Sequence, residues 1–334
     1  MTTADYVIVG GGTAGCIVAA RLSEDPDVTV TVLEPGPSDA DEPPRALDIR
    51  RWAEMLEGEY DLDYRSVTQV RGNSNIRQAR MRILGGCSTA NTMITWRPLP
   101  ADLDEWVGLG AKGWDASTVH PYYDRLATPP SPPRWRRRTK TPTSPTWSSR
   151  RGGPWPCPPG PNGTVTPTSL KQAGGAQASS RSVTPPGTHL RSSTSVHYLH
   201  EAIRTRDNLA VRHGMHANRV LVEGGSAVGV LATDGDGIEH RFDAAREVIV
   251  CCGAIDTPPK LLQLSGIGPR KVLSDAGVDV VVDSPPGVGE NLMDHAEGLI
   301  VWQAVREVPE TCATGWDAGA RCAFTTTGQR GRTS

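Results

Sequence analysis

The stretch Asp5–Gly36, DYVIVGGGTAGCIVAARLSEDPDVTVTVLEPG, constrains the fold of this chain more than any other part of it. An apolar run, Tyr6–Val9, enters a Gly10-x-Gly12-x-x-Gly15 turn. A helix of small residues follows, and a second apolar run, Val28–Leu33, ends on Glu34. Strand, glycine turn, helix, strand and acid, in that order, make a βαβ dinucleotide cradle. Each glycine has its own reason: Gly10 permits the tight turn, Gly12 lets a pyrophosphate approach the backbone, and Gly15 lets the helix pack close to the strand. Thr13 and Ala14 open the helix, whose first N–H groups lack intrahelical partners and are free for phosphates. Glu34, about 20 residues beyond the glycines, is placed to accept hydrogen bonds from a ribose diol and disfavours a 2′-phosphate. A glycine-rich loop alone is more often a plain turn, and it is the ordered surroundings that make this one a cradle. The pattern does not choose between FAD and NAD.

A length of 334 residues suits two domains, and a net charge of −2 supplies no general attraction for nucleic acid or a membrane surface. No run approaches the ~18 apolar residues of a membrane span, and the first residues lack the basic-then-apolar order of a signal peptide. The expected address is cytoplasmic. Seven cysteines, an odd number beside a nucleotide cradle, read as reduced thiols; none has metal-ligand spacing, so no metal site is expected.

Between Pro129 and Gly187 the texture changes. These 59 residues hold 14 of the 28 prolines and nine Lys or Arg, with no Asp or Glu, and Val165, Leu170 and Val183 are their only large aliphatics. Too little apolar surface is present to offset ordering entropy, so the segment is expected to be disordered or irregular. Its Pro129-x-x-Pro132-x-Arg134 pattern and its Arg136–Arg138 run have the forms of a polyproline ligand and of a nucleic-acid contact, but both arise readily in any Pro/Arg-rich text. Translation out of frame from a GC-rich gene is a further explanation. Ordered patterns return afterwards: a helix over Ser192–Arg206, strands near Leu209–Arg212, Arg219–Val222, Val228–Ala232 and Val248–Cys251, short helices at Lys260–Leu264 and Lys271–Asp275, and a strand at Val278–Val282. The whole reads as α/β with an antiparallel excursion.

Two further motifs narrow the cradle's identity. Arg82-Ile-Leu-Gly-Gly-Cys-Ser-Thr-Ala-Asn91-x-Met93, with Asp102-Leu-Asp-Glu-Trp106 and Gly113-Trp114, resembles the first signature of the glucose-methanol-choline (GMC) flavin oxidoreductases. Gly253-Ala-Ile-Asp-Thr-Pro-Pro-Lys-Leu-Leu-Gln-Leu-Ser-Gly-Ile-Gly-Pro269 resembles the second. The resemblance covers about 1–128 and 188–330 and fails in the segment between. It implies FAD, with Gly10, Gly12, Thr13, Ala14, Gly15, Glu34 and Val220 on its dinucleotide part, Gly85, Gly86, Cys87, Ser88 and Asn91 against the isoalloxazine, and Thr92 beside the reacting carbon.

Within the family the likeness is to the choline-oxidising branch, carried by Asp48-Ile-Arg-Arg-Trp52, Gly58-x-Tyr60-Asp-x-Asp-Tyr64, Gly85-Gly-Cys-Ser88 and Met293-Asp-His-Ala-Glu-Gly298. It implies a small-molecule alcohol as substrate, with Trp52 and Trp316 as aromatic walls and Glu297 as the carboxylate facing a trimethylammonium head. A quaternary ammonium offers no N–H, so π-faces and charge are what can hold it, at ~0.5–2 kcal/mol per ring. Taken singly, Trp52 and Trp316 are ordinary core aromatics and Glu297 an ordinary acid.

Departures from the family pattern carry expectations of their own. Ala90 stands where choline oxidases have a flavin-linking histidine, so FAD is expected to be non-covalent. Pro258-Pro259 and Pro285-Pro286 each hold one proline more than the pattern and threaten loops near the dinucleotide. The family's catalytic histidine pair has no counterpart before Ser334, and the last histidine is His295. The resulting layout is a Rossmann-like FAD-binding domain in two parts, 1–128 and 188–295, around the anomalous segment 129–187, with 296–334 beginning an incomplete antiparallel-sheet substrate domain. The implied activity is oxidation of a primary alcohol with hydride transfer to flavin N5, with little or no turnover expected from the chain as written. The other reading is a non-catalytic FAD- or ADP-binding remnant. A homo-oligomer is left open.

Overall fold

A computed structural model describes residues 2–41, 46–70, 74–91, 98–127, 190–255, 257–284 and 287–294. Of these, residues 98–127 belong to one compact unit and all the others to a second, larger one. The smaller unit contributes two helices, Pro100–Gly108 and Ala116–Ala127.

The larger unit is built on a six-stranded mixed sheet. Its strands are β1 (Thr2–Val9), β2 (Val30–Glu34), β5 (Leu209–His213), β6 (His216–Glu223), β7 (Ser226–Thr233) and β8 (Glu239–Val250), in the order β5-β2-β1-β8-β7-β6. β3 (Tyr64–Arg65) and β4 (Arg77–Gln78) form a separate antiparallel pair, and β9 (Ile267–Gly268) pairs in parallel with β10 (Val282–Asp283). β1 runs parallel to both β2 and β8, and β2 parallel to β5, while β6-β7-β8 is an antiparallel meander.

Side chains of a strand alternate between faces, and the core follows that rule. Ile8, Val30 and Val32 pack on one face with Cys16, Ala19 and Ala20 of helix α1 (Thr13–Leu22) and with Leu199 and Ala202. Val7, Val9 and Leu33 pack on the other with Val220, Val230, Phe242 and Leu261. All five residues of β2 are buried, as expected of a parallel strand covered on both faces. The small residues of α1 let it lie close to the sheet. A methyl on Gly15 would fall 1.9 Å from the Gly10 carbonyl oxygen.

Three expectations change. The strand ending at Cys251 begins far earlier, at Glu239, because its polar first half is held by the backbone ladder to β7 rather than by apolar burial. The strand expected at Val278–Val282 is the short β10, since Val281 and Val282 are exposed and only Val282 and Asp283 stand in register with β9. Pro258 and Pro259 fall in the first turn of the helix Thr257–Leu264, where a residue without an N–H loses no intrahelical bond, so they open a helix instead of disturbing a loop. The segment 129–187, Pro285-Pro286 and the region 296–334 lie outside the described residues.

Candidate dinucleotide site

Parallel pairing brings strand carboxyl ends together, and the segments that leave those ends meet over the sheet. Val9 pairs with Val250, so the Gly10–Gly12 turn lies beside Cys251–Gly253. Glu34 pairs with His213, so the turn after β5 reaches Glu34, whose carbonyl accepts the Met215 N–H at 3.0 Å. These segments and the loop around Gly86 enclose a cavity of about 510 Å³. Its size is in the range of small-molecule and cofactor sites, and it sits outside the carboxyl ends of the strands, where open α/β sheets bind ligands.

Glu34 is the buried acid of its lining. The side chain is 4% exposed, with Oε2 accepting the Gly11 N–H and Oε1 the Gly36 N–H, both at 2.9 Å. Burial pushes its pKa up to about 7 against the opposing pull of those two N–H groups and of Arg82. A carboxylate has about four lone-pair sites, so each oxygen keeps capacity for a further donor such as a ribose hydroxyl. His216, on the same wall, is held below the usual histidine pKa by desolvation and by the positive charges of Lys260 and Arg82.

The glycines divide by what surrounds them. Gly10 has φ +96° and no room: a Cβ there would sit 2.8 Å from the Cys252 Cα. Gly12 has φ −79°, and its absent side chain would make ordinary contacts of 3.8 and 3.9 Å with the protein. The protein's own packing therefore does not require glycine at position 12, and the space kept open belongs to the cavity. Helix α1 above it has no side-chain cap on Gly12 and no acid in its first turn. Its leading N–H groups are left for an anion. Uncapped helix, open glycine and buried acid together fit a dinucleotide.

The second glycine loop is tied to the first, the Gly85 N–H donating to the Gly11 carbonyl at 2.7 Å. Gly86 and Cys87 reach the cavity. Ser88 is turned away: its hydroxyl donates to the Gly85 carbonyl at 2.6 Å and accepts the Thr194 N–H at 3.1 Å. Ala90 is buried in a cluster with Met55, Tyr60, Met81 and Ile83.

Of the residues expected to hold a dinucleotide, Gly10, Gly12, Thr13, Ala14, Glu34, Gly86 and Cys87 line this one cavity. Gly15 serves the helix–strand contact, and Gly85, Ser88 and Asn91 belong to the second loop without lining the cavity. Val220 stands in the core, where its N–H donates to the Ser265 hydroxyl at 2.8 Å, and it does not line the cavity. Trp52 begins the short helix Trp52–Met55, half-buried and outside the lining. Thr92, Glu297 and Trp316 lie outside the described residues. Residue patterns missed Met215, His216 and the run Cys251–Ile255 as lining; their signal is register, because each follows a strand whose partner leads into the cradle. Among the described residues no group of three metal-binding side chains gathers, and no helix is long and apolar enough to cross a membrane.

The model of the GMC oxidoreductase family matches residues 4–154 and 162–297. That match runs on into the Pro/Arg-rich segment, where the motif resemblance fails, and it stops short of 330. Choline oxidase of Arthrobacter globiformis is 38% identical over 338 residues, covering 94% of this chain and 59% of that protein. Oxygen-dependent choline dehydrogenase of Photobacterium profundum is 35% identical over 328 residues, covering 89% and 52%. The chain thus spans about half the length of the curated relatives it matches. Among solved structures, an FAD-dependent oxidoreductase of Chaetomium thermophilum matches with a TM-score of 0.63 at 28% identity, over 84% of this chain and 51% of that one.

Proposed function

We propose, for a chain that belongs to the GMC oxidoreductase family, that the cavity holds FAD without a covalent bond and serves the oxidation of a primary alcohol of the choline class. The observation that carries this reading is the convergence of the uncapped α1 N-terminus, the buried Glu34 carboxylate and the Gly86–Cys87 backbone on one cavity. The similarity to choline-oxidising proteins supports the substrate class.

Each part of the cavity has a task. The N–H groups of Thr13 and Ala14 would hold the pyrophosphate, and Gly12 lets it come close. Glu34 would accept from the ribose diol. The loop Gly85–Asn91, free of bulky side chains, would let the ring lie against backbone. When bound, FAD supplies the two-electron acceptor for the carbon-bound hydrogen. Beyond the cavity's described lining, the family resemblance would give Trp52, Trp316 and Glu297 the cationic head of the alcohol and Thr92 the place beside the reacting carbon. With Ala90 buried among apolar side chains, no histidine at that position is available to bond the ring.

The test titrates the purified chain with FAD, follows flavin fluorescence and retention on gel filtration, and then adds choline anaerobically. Retained flavin that bleaches with choline supports the full reading. Flavin retained but unbleached leaves the non-catalytic, dinucleotide-binding reading, and a chain that retains neither FAD nor ADP overturns both.

A further inference from the structure

Arg191 is a buried cation. It is 2% exposed, and among the described residues no carboxylate pairs with it. Its Nη1 donates to the Asn91 carbonyl oxygen at 2.5 Å and to Asn91 Oδ1 at 3.1 Å, while Nε and Nη2 find no partner. Burial pulls its pKa down to about 10, which still leaves it charged at neutral pH. An unpaired charge so placed is costly, and an apolar side chain of similar volume would fill the site at lower cost. What the guanidinium does in the fold is bind Asn91, the last residue of the loop that begins at Gly85.

The backbone on either side of Arg191 is anchored. Its own N–H donates to the Leu47 carbonyl at 2.6 Å, and Leu190 bridges to Asp48. Three residues on, Thr194 donates its N–H to the Ser88 hydroxyl at 3.1 Å. One residue further, the Ser195 hydroxyl donates to the fully buried Asp39 carboxylate at 2.6 Å, and His200 Nε2 lies 2.7 Å from the other Asp39 oxygen. The segment Arg191–His200 is therefore fixed to the body of the unit at both ends, at Leu47 and at Asp39, and to the glycine loop at two points, Ser88 and Asn91.

We propose that Arg191 is the positioning residue of the flavin loop, holding Asn91 through its main-chain and side-chain oxygens so that Gly85–Asn91 keeps one shape against the bound ring. The inference rests on the FAD reading above and adds to it a residue that touches neither the cradle nor the cavity wall. Its consequence is selective. ADP engages the α1 and Glu34 end of the cavity, whereas FAD engages that end and the loop, so loss of the clamp weakens FAD and spares ADP.

The experiment measures binding of FAD and of ADP, separately, to the full chain and to Arg191→Met and Arg191→Lys, together with the visible spectrum of the bound flavin. Arg191→Met is expected to keep ADP affinity within about threefold and to lose about tenfold or more in FAD affinity, the scale of one charge-assisted hydrogen bond, with a shifted flavin spectrum. Arg191→Lys keeps the charge but not the fork, and should show the same selectivity at smaller size. It also decides the matter if the Met variant does not fold. Equal losses of FAD and ADP, or FAD affinity and spectrum unchanged in the folded variants, overturn the proposal. If the unaltered chain binds ADP but not FAD, the flavin reading fails first and takes the clamp with it.

Discussion

Gly86 lies against Gly12, backbone to backbone. A Cβ on Gly86 would fall 2.8 Å from the Gly12 Cα, at a residue whose φ of +52° already disfavours a side chain. With the hydrogen bond from Gly85 to Gly11, this contact fastens the loop Gly85–Asn91 to the cradle and makes two glycine turns, 74 positions apart in sequence, into one wall. The expected outcomes below follow from that wall and from the buried groups behind it.

Gly12 and Gly15 should respond oppositely to alanine. At Gly12 the methyl meets only ordinary contacts, so Gly12→Ala should change stability by no more than about 1 kcal/mol while filling ligand space. At Gly15 the methyl would collide with the Gly10 carbonyl, and the overpacking should cost about 3 kcal/mol or more. Urea midpoints with ADP and FAD titrations separate the two. An unfolded Gly12→Ala chain, or one that binds FAD as before, would contradict the assignment of Gly12 to the ligand.

Glu34 makes stability depend on pH. Its folded pKa of about 7 lies above the ordinary glutamate value of 4.5, so the folded chain holds the extra proton. That contribution is fully present below about pH 4.5 and is lost as pH rises through 7, a fall of about 3 kcal/mol for the ligand-free chain. Urea unfolding between pH 5 and pH 8 should show the decline, and Glu34→Gln should flatten it. A slope of the same size in the Gln variant would assign the titration elsewhere.

Asp39 holds Ser195 and His200 from a fully buried position. Asp39→Ala strips both of their acceptor and should cost about 3 kcal/mol, whereas Asp39→Asn keeps an acceptor oxygen and should cost less. Thermal unfolding of the two variants measures the difference. Equal costs would show that one acceptor oxygen is worth nothing here and that the second oxygen or the negative charge sets the value of this side chain.

Flavin should leave on denaturation. Ala90 offers no atom for a covalent bond, so precipitation of the FAD-loaded chain with acid should put all yellow colour in the supernatant. Colour that stays with the washed pellet would refute non-covalent binding.

Two thiols, the buried Cys16 and the partly buried Cys252, should be silent. Burial raises the Cys16 pKa to about 12 and that of Cys252 to about 11, so neither is a thiolate near neutral pH. Iodoacetamide at pH 8 should label both only after unfolding, as read by peptide mass spectrometry. Rapid labelling of Cys16 in the folded chain would mean that α1 does not pack on the sheet as described.

The cradle was legible in the residues because its determinants are local. Glycine tolerance, the small side chains of α1 and the apolar alternation of β1 and β2 all act within about 30 residues, and each follows from sterics or burial that the sequence states directly. The six strands of the main sheet were legible for the same reason; their extent and the two-residue strands β3, β4 and β9 were not. The polar half of β8 is a strand because β7 supplies its ladder, and β10 is short because β9 offers it only Ile267 and Gly268 to pair with, facts that belong to pairing and not to composition. The site divides in the same way. By itself the sequence determined that a dinucleotide cradle forms and that Gly10, Gly12, Gly15 and Glu34 build it. Tertiary structure alone decided that Met215, His216 and Cys251–Ile255 close the cavity, that Val220 serves the core, and that Arg191 reaches Asn91. Those contacts come from parallel register and chain reversal, which join residues up to more than two hundred positions apart, and no periodicity within either segment encodes the other.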